Sequence, residues 1–92
     1  VNDLYDTGSL FSAVYPNPAT SYFSIDYYSE VDDLIVMQLC DVLGNLIRDE
    51  KMEIGKGTTT LKSNVSDLAK GLYFFTVTMK GGNTYATKLL KE

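Results

Sequence analysis

Residues able to do chemistry are few in this chain, and their spacing suits none of the common reactions. The 92 residues include no His, which removes the commonest general base and metal ligand. A single Cys, Cys40, excludes an intrachain disulfide and a thiolate zinc site. With no His to activate it, and set in an apolar stretch, it reads as a chemically quiet thiol. Gly55-Lys56-Gly57-Thr58 resembles part of a phosphate loop. It lacks both the Gly five residues before the Gly-Lys pair and the Ser or Thr directly after the Lys. Glu30, Asp32 and Asp33 cluster in one turn but without the spacing of a calcium loop, which favours a solvated acidic turn. Asn64-Val65-Ser66 fits the N-glycosylation pattern, a short match that is frequent by chance. Tyr22 and Tyr28 would make a sugar-stacking strip if both were exposed, although aromatic residues on strands are more often packed. No nucleophile–base pair is present, so the chain reads as no enzyme, with no metal site and no cofactor.

Ninety-two residues make one domain with a thin core. Hydrophobic residues at 45% and charged residues at 22% describe neither a disordered chain nor a membrane span. No apolar run approaches the roughly 20 residues that cross a bilayer. No basic-then-apolar stretch opens the chain, so no signal peptide is expected on this piece. Residues 1–50 carry nine acids and one base, residues 51–92 seven Lys and three acids. The overall charge of −4 disfavours nucleic acid as a partner, and no small-molecule substrate is implied.

The elements follow from period and punctuation. Residues 1–13 are weakly patterned, with Thr7-Gly8-Ser9 as turn residues, and read as a linker. In 22–28, Phe23, Ile25 and Tyr27 alternate with Ser24 and Asp26, which is a half-buried strand. In 34–40, Ile35, Met37 and Leu39 alternate with Leu34, Val36, Gln38 and Cys40. That near-continuous apolar run predicts a strand central in its sheet. Asp41 to Asn45 reads as a turn with Leu46–Met52 returning, so 34–52 is a hairpin. Thr58 to Leu61 is β-prone. Leu72–Met79 is the clearest strand, with Tyr73, Phe75, Val77 and Met79 on one face. Gly81-Gly82-Asn83 turns the chain into a last strand, 85–90. The sum is an all-β fold, a small immunoglobulin-like antiparallel β-sandwich of about seven strands. Its expected core holds Phe23, Ile25, Ile35, Met37, Leu39, Tyr73, Phe75 and Val77. Asp67-Leu68-x-x-Gly71-x-Tyr73 also places Tyr73 where sandwich folds carry a corner tyrosine bonded back across the turn.

Four segments form a recognisable set. They are Tyr15-Pro16-Asn17-Pro18-Ala19, Asp41-Val42-Leu43-Gly44-Asn45, Asp67-Leu68-Ala69-Lys70-Gly71-Leu72-Tyr73, and the closing Lys88-Leu89-Leu90-Lys91-Glu92. Together, in this order and spacing, residues 14–92 resemble the type A C-terminal sorting domain of cargo proteins of the Bacteroidetes type IX secretion system. The resemblance implies a non-catalytic signal that directs its parent across the outer membrane. Its implied partners are the outer-membrane translocon, a shuttle protein, a surface sortase that removes the domain, and the upstream cargo domain. The implied location is the periplasm in transit, then the cell surface or the medium. Cys40 is a departure, since relatives often carry an aromatic there.

The motif residues also have local physical roles. Pro16 and Pro18 lack N–H groups and hold Tyr15 and Asn17 extended, so this stretch is expected not to continue a ladder. Asp41 can accept backbone N–H bonds across its turn while Gly44 and Asn45 supply unusual backbone angles. Leu68, Gly71, Leu72 and Tyr73 are expected to turn the chain and send both Leu72 and Tyr73 into the core. Lys88, Leu89, Leu90 and Lys91 are the expected recognition residues. They would form an exposed edge strand with one Leu packed, the other free, and both Lys guarding the edge. A small carbohydrate-binding or adhesion module is the alternative function class for the same elements.

Overall fold

The computed structural model describes residues 9–92, and seven strands account for most of them. They are β1 (Ser9–Phe11), β2 (Tyr22–Ser29), β3 (Asp33–Asp41), β4 (Leu46–Ile54), β5 (Gly57–Asn64), β6 (Gly71–Thr78) and β7 (Thr84–Lys91). One sheet runs β1-β2-β5 and the other β4-β3-β6-β7, every pair of neighbours antiparallel. The two sheets are the immunoglobulin-like sandwich expected from the alternation.

Side chains on the two inner faces fill the space between the sheets. Phe23, Ile25, Tyr27 and Leu61 face Ile35, Met37, Leu39, Tyr73, Phe75, Val77 and Leu89, all buried. All eight residues read from the sequence as core are among them. Phe23 meets Phe75 edge-on with ring centroids 4.9 Å apart, a favoured aromatic geometry that ties one sheet to the other.

One expectation is corrected here. The stretch read as linker is strand at Ser9–Phe11, paired with Tyr27–Ser29, and Phe11 packs against the core. A lone aromatic in a weakly patterned run carries no periodicity, which hid this short strand; Thr7 and Gly8 lie outside the described residues. As expected, β3 is central within its sheet, between β4 and β6; its outer face is not covered by another layer. Leu34 is exposed on the other face, and Cys40 sits half-buried there between Leu46 and Phe74. The outer face carries Leu and Val because those residues suit a pleated strand, not because a third layer covers them.

Candidate functional site

Gly44, at φ +86°, turns the β3–β4 hairpin in a conformation other residues rarely adopt. The carboxylate of Asp41 organises the same turn. Its Oδ1 accepts the backbone N–H groups of Leu43 and Asn45, each at 2.9 Å, and its Oδ2 accepts the Asn45 side-chain amide. These bonds, led by those from Asn45, hold the Asp41 carboxyl below its ordinary pKa. The hairpin tip carries Leu43, 82% exposed, with Val42 and Leu46 beside it.

Gly71, at φ +147°, starts β6 and brings Tyr73 inward. The Tyr73 hydroxyl donates to the Ala69 carbonyl at 2.7 Å, which is the corner expected from the Leu-and-Gly spacing. Leu68 packs against the core from the preceding loop. Leu72 does not follow Tyr73 inward. Neighbouring strand residues point to opposite faces, and Leu72 is exposed on the outer face opposite Leu90. Ahead of the corner, Arg48 on β4 donates to the Asn64 carbonyl and pairs with Asp67 Oδ1 at 2.5 Å. The Arg48 hydrogen bond is the main cause that holds the Asp67 carboxyl below its ordinary pKa.

The tail does not offer a bare edge. β7 is the last strand of its sheet, with Leu89 fully buried and Leu90 43% exposed, so one Leu packs and the other faces solvent as expected. The Pro16–Ala19 segment covers the far edge of its C-terminal half. The Asn17 side chain accepts Leu90 N–H at 3.0 Å and donates to Lys88 O at 3.4 Å. Ala19 N–H then donates to Leu90 O, and Glu92 N–H to Ala19 O, both at 2.8 Å. A side-chain amide thus stands where the prolines supply no N–H, and the segment continues the ladder that it was expected to interrupt. Of the two expected guards, Lys88 is exposed, but Lys91 is 8% exposed and donates to the Glu92 carbonyl at 3.1 Å. Its long apolar stem allows a lysine to be buried in this way while its ammonium keeps a polar partner.

The four motifs, far apart in sequence, therefore share one end of the molecule. Asp41 pairs with Tyr73, Tyr73 with Leu89, and the Asn17–Ala19 segment closes on Leu90 and Glu92. A model of the family described as "Secretion system C-terminal sorting domain" matches residues 13–92. The chain belongs to this type IX sorting-domain family. No curated protein matches it. The sorting domain also resembles part of a solved structure, "Crystal structure of dimeric latent PorU from Porphyromonas gingivalis", with a TM-score of 0.70 at 14% identity. That match covers 99% of this chain and 10% of the other, so the sorting domain spans about a tenth of that protein. At this identity the likeness shows the fold.

The residues set aside for chemistry stay apart in the sorting domain. Asp32 Oδ1 accepts the Lys56 N–H and Asp33 Oδ1 the N–H groups of Leu34 and Lys80, so two of the three clustered acids brace turns. Among the described residues no group of three or more acidic or Cys side chains is placed to hold a metal ion. Asn64 Oδ1 accepts both the amide and the hydroxyl of Ser66. Tyr22 and Tyr28 are exposed, yet they lie six residues apart, about 20 Å along one strand. The Lys62 ammonium covers the Tyr22 ring at 4.2 Å. Tyr15 lies between them and donates its hydroxyl to Asp26 at 2.8 Å, a bond that holds the phenol above its ordinary pKa. Sequence reasoning quoted Ala19 in the first motif without a role of its own and gave Arg48 none. Ala19 carries no chemical signal, and Arg48 sits in a strand with no periodic pattern.

Proposed function

We propose that this domain is a secretion address whose readable part is the motif end, with Lys88, Leu89, Leu90 and Lys91 at its centre. The observation that supports the reading is the bonding of the tail to the Asn17 amide and Ala19 backbone. It makes four dispersed motifs one surface rather than a loose terminus. Leu89 and Lys91 hold the surface in place; Lys88 and Leu90, with Leu72 beside them, face outward where a partner reads them. The outer-membrane translocon or its shuttle is the reader, and a surface sortase then removes the domain from its cargo. The cargo leads in ahead of β1 and passes through the periplasm to the cell surface or medium.

Truncating the tail is a poor test, because Leu89 is core and the ladder to Ala19 would be lost with it. The clean test changes only outward side chains. A secreted reporter fused ahead of residues 1–92 is expressed in a host with type IX machinery, with and without Lys88→Glu plus Leu90→Asp. The folded variant is expected to accumulate in the periplasm. Surface or medium delivery at the unaltered level by a variant with native circular dichroism would overturn the reading.

A further inference from the structure

Between the edge strands β4 and β5 the sandwich is not closed. Residues opposite one another on paired strands share a face. Arg48 and Glu50 lie opposite the buried Leu39 and Met37, so both occupy inward positions on β4. Ser63 lies opposite the buried Phe23 and is the corresponding inward position on β5. Two charged residues and one small one therefore stand where apolar side chains would meet. Arg48 reaches sideways to Asn64 and Asp67, and Met52 and Leu61 fill the seam lower down. A cavity of about 190 Å³ remains, floored by Met37, Leu39 and Phe75. An apolar cavity of roughly 150 Å³ suffices to hold benzene.

The rim is charged unequally. Arg48 is satisfied by Asp67 and Asn64, and Lys62 lies over Tyr22. Among the described residues, the inward-facing carboxylate of Glu50 has no hydrogen-bond or ion-pair partner. β4 and β5 are each the outermost strand of their sheet on this side, so each has a backbone edge with no strand beyond it. A second copy is a poor occupant, because pairing β4 with β4 about Glu50 would set two carboxylates against each other, and inward charges on edge strands disfavour such pairing.

We propose that the β4–β5 cleft docks an extended segment of another protein. The segment seats one aromatic or branched apolar side chain over Phe75 and sets a lysine or arginine on the same face against Glu50. Strand addition supplies backbone hydrogen bonds, and the cavity with its acidic rim supplies selectivity. The proposal does not depend on the motif end being read, since it concerns a different side of the sandwich.

The probe is the peptide acetyl-Thr-Lys-Val-Phe-Val-Lys-Thr-amide, titrated into ¹⁵N-labelled residues 1–92. Saturable shifts are expected at the amides of residues 48–51 and 61–63. Replacing the peptide Phe by Ser, or filling the cavity with Ser63→Leu, is expected to weaken binding at least about tenfold, as for a buried anchor. Glu50→Lys is expected to weaken binding about two- to fivefold, as for an exposed ion pair, and to favour a peptide with Glu in place of Lys. Glu50→Lys decides the matter if Ser63→Leu does not fold. Shifts absent at about 2 mM peptide, equivalent to binding weaker than roughly −4 kcal/mol, overturn the proposal. So do shifts that ignore both variants, or shifts at β4 and β5 that grow with protein concentration without peptide.

Discussion

At the β1/β7 side of the sandwich, the Phe11 ring lies between Tyr27 and Tyr85, stacked at 4.4 and 4.3 Å. The Pro16–Ala19 segment extends this side along β7. At the β4/β5 side, the matching positions hold Arg48, Glu50 and Ser63, and a cavity remains between the strands above the buried Met37, Leu39 and Phe75. β1 has three residues, while β4 has nine and β5 eight. The shorter strand makes the tighter seam. Closure depends on what fills the inward positions of the edge strands, because dispersion and burial need atoms in contact, and a gap forfeits them. A longer ladder does not substitute for a ring.

The contrast can be broken first at its shared floor. Phe75 lies under the open cleft and against Phe23, so Phe75→Ala is expected to cost about 3–5 kcal/mol, measured by urea unfolding. A loss below about 1 kcal/mol would mean that the core is looser than the packing indicates. At the closed side, Phe11→Ala removes the middle ring of the stack and is expected to cost about 2 kcal/mol, less than full burial because Phe11 is half-exposed. At the open side the sign reverses. Ser63→Leu fills empty space and is expected to raise stability by about 0.5–1.5 kcal/mol in the same measurement. A destabilising Ser63→Leu would show that the cleft is shaped for water rather than for an apolar group.

Asn17→Ala is expected to cost about 1 kcal/mol and, more tellingly, to speed hydrogen exchange at the Leu90 amide while leaving Val77 protected. The smallest effect belongs to the salt bridge at the end of the open seam. Folding lowers the Asp67 pKa, so the unfolded chain binds that proton more readily. The contribution is present above the ordinary carboxyl value of 3.8 and is lost as pH falls through the lower folded value. Asp67→Asn is expected to flatten this part of the acid-unfolding curve; Asp41, lowered in the same direction, keeps its own share.

Alternation along single strands was legible in the chain alone. Phe23–Tyr27, Ile35–Leu39 and Tyr73–Val77 each name their buried face through a period of two, a local property that any sheet must respect. Turn chemistry was equally local. Asp41 with Gly44, and Gly71 with Tyr73, act on residues within four positions of themselves. What is covered from outside the strand was not legible. The outer face of β3 looks as apolar as a buried one, and Lys91 looks like any solvated lysine until its stem is packed. The bond from Leu90 N–H to Asn17 spans 73 residues, and no local pattern marks it. The openness of one seam depends on Glu50, Ser63 and Phe75 meeting from three strands. Which residues alternate, turn and cap follows from the order of the chain, because those preferences act through a residue's own backbone and near neighbours. Which edges are covered and which are left open follows from the folded arrangement, because that depends on distant side chains arriving at the same place.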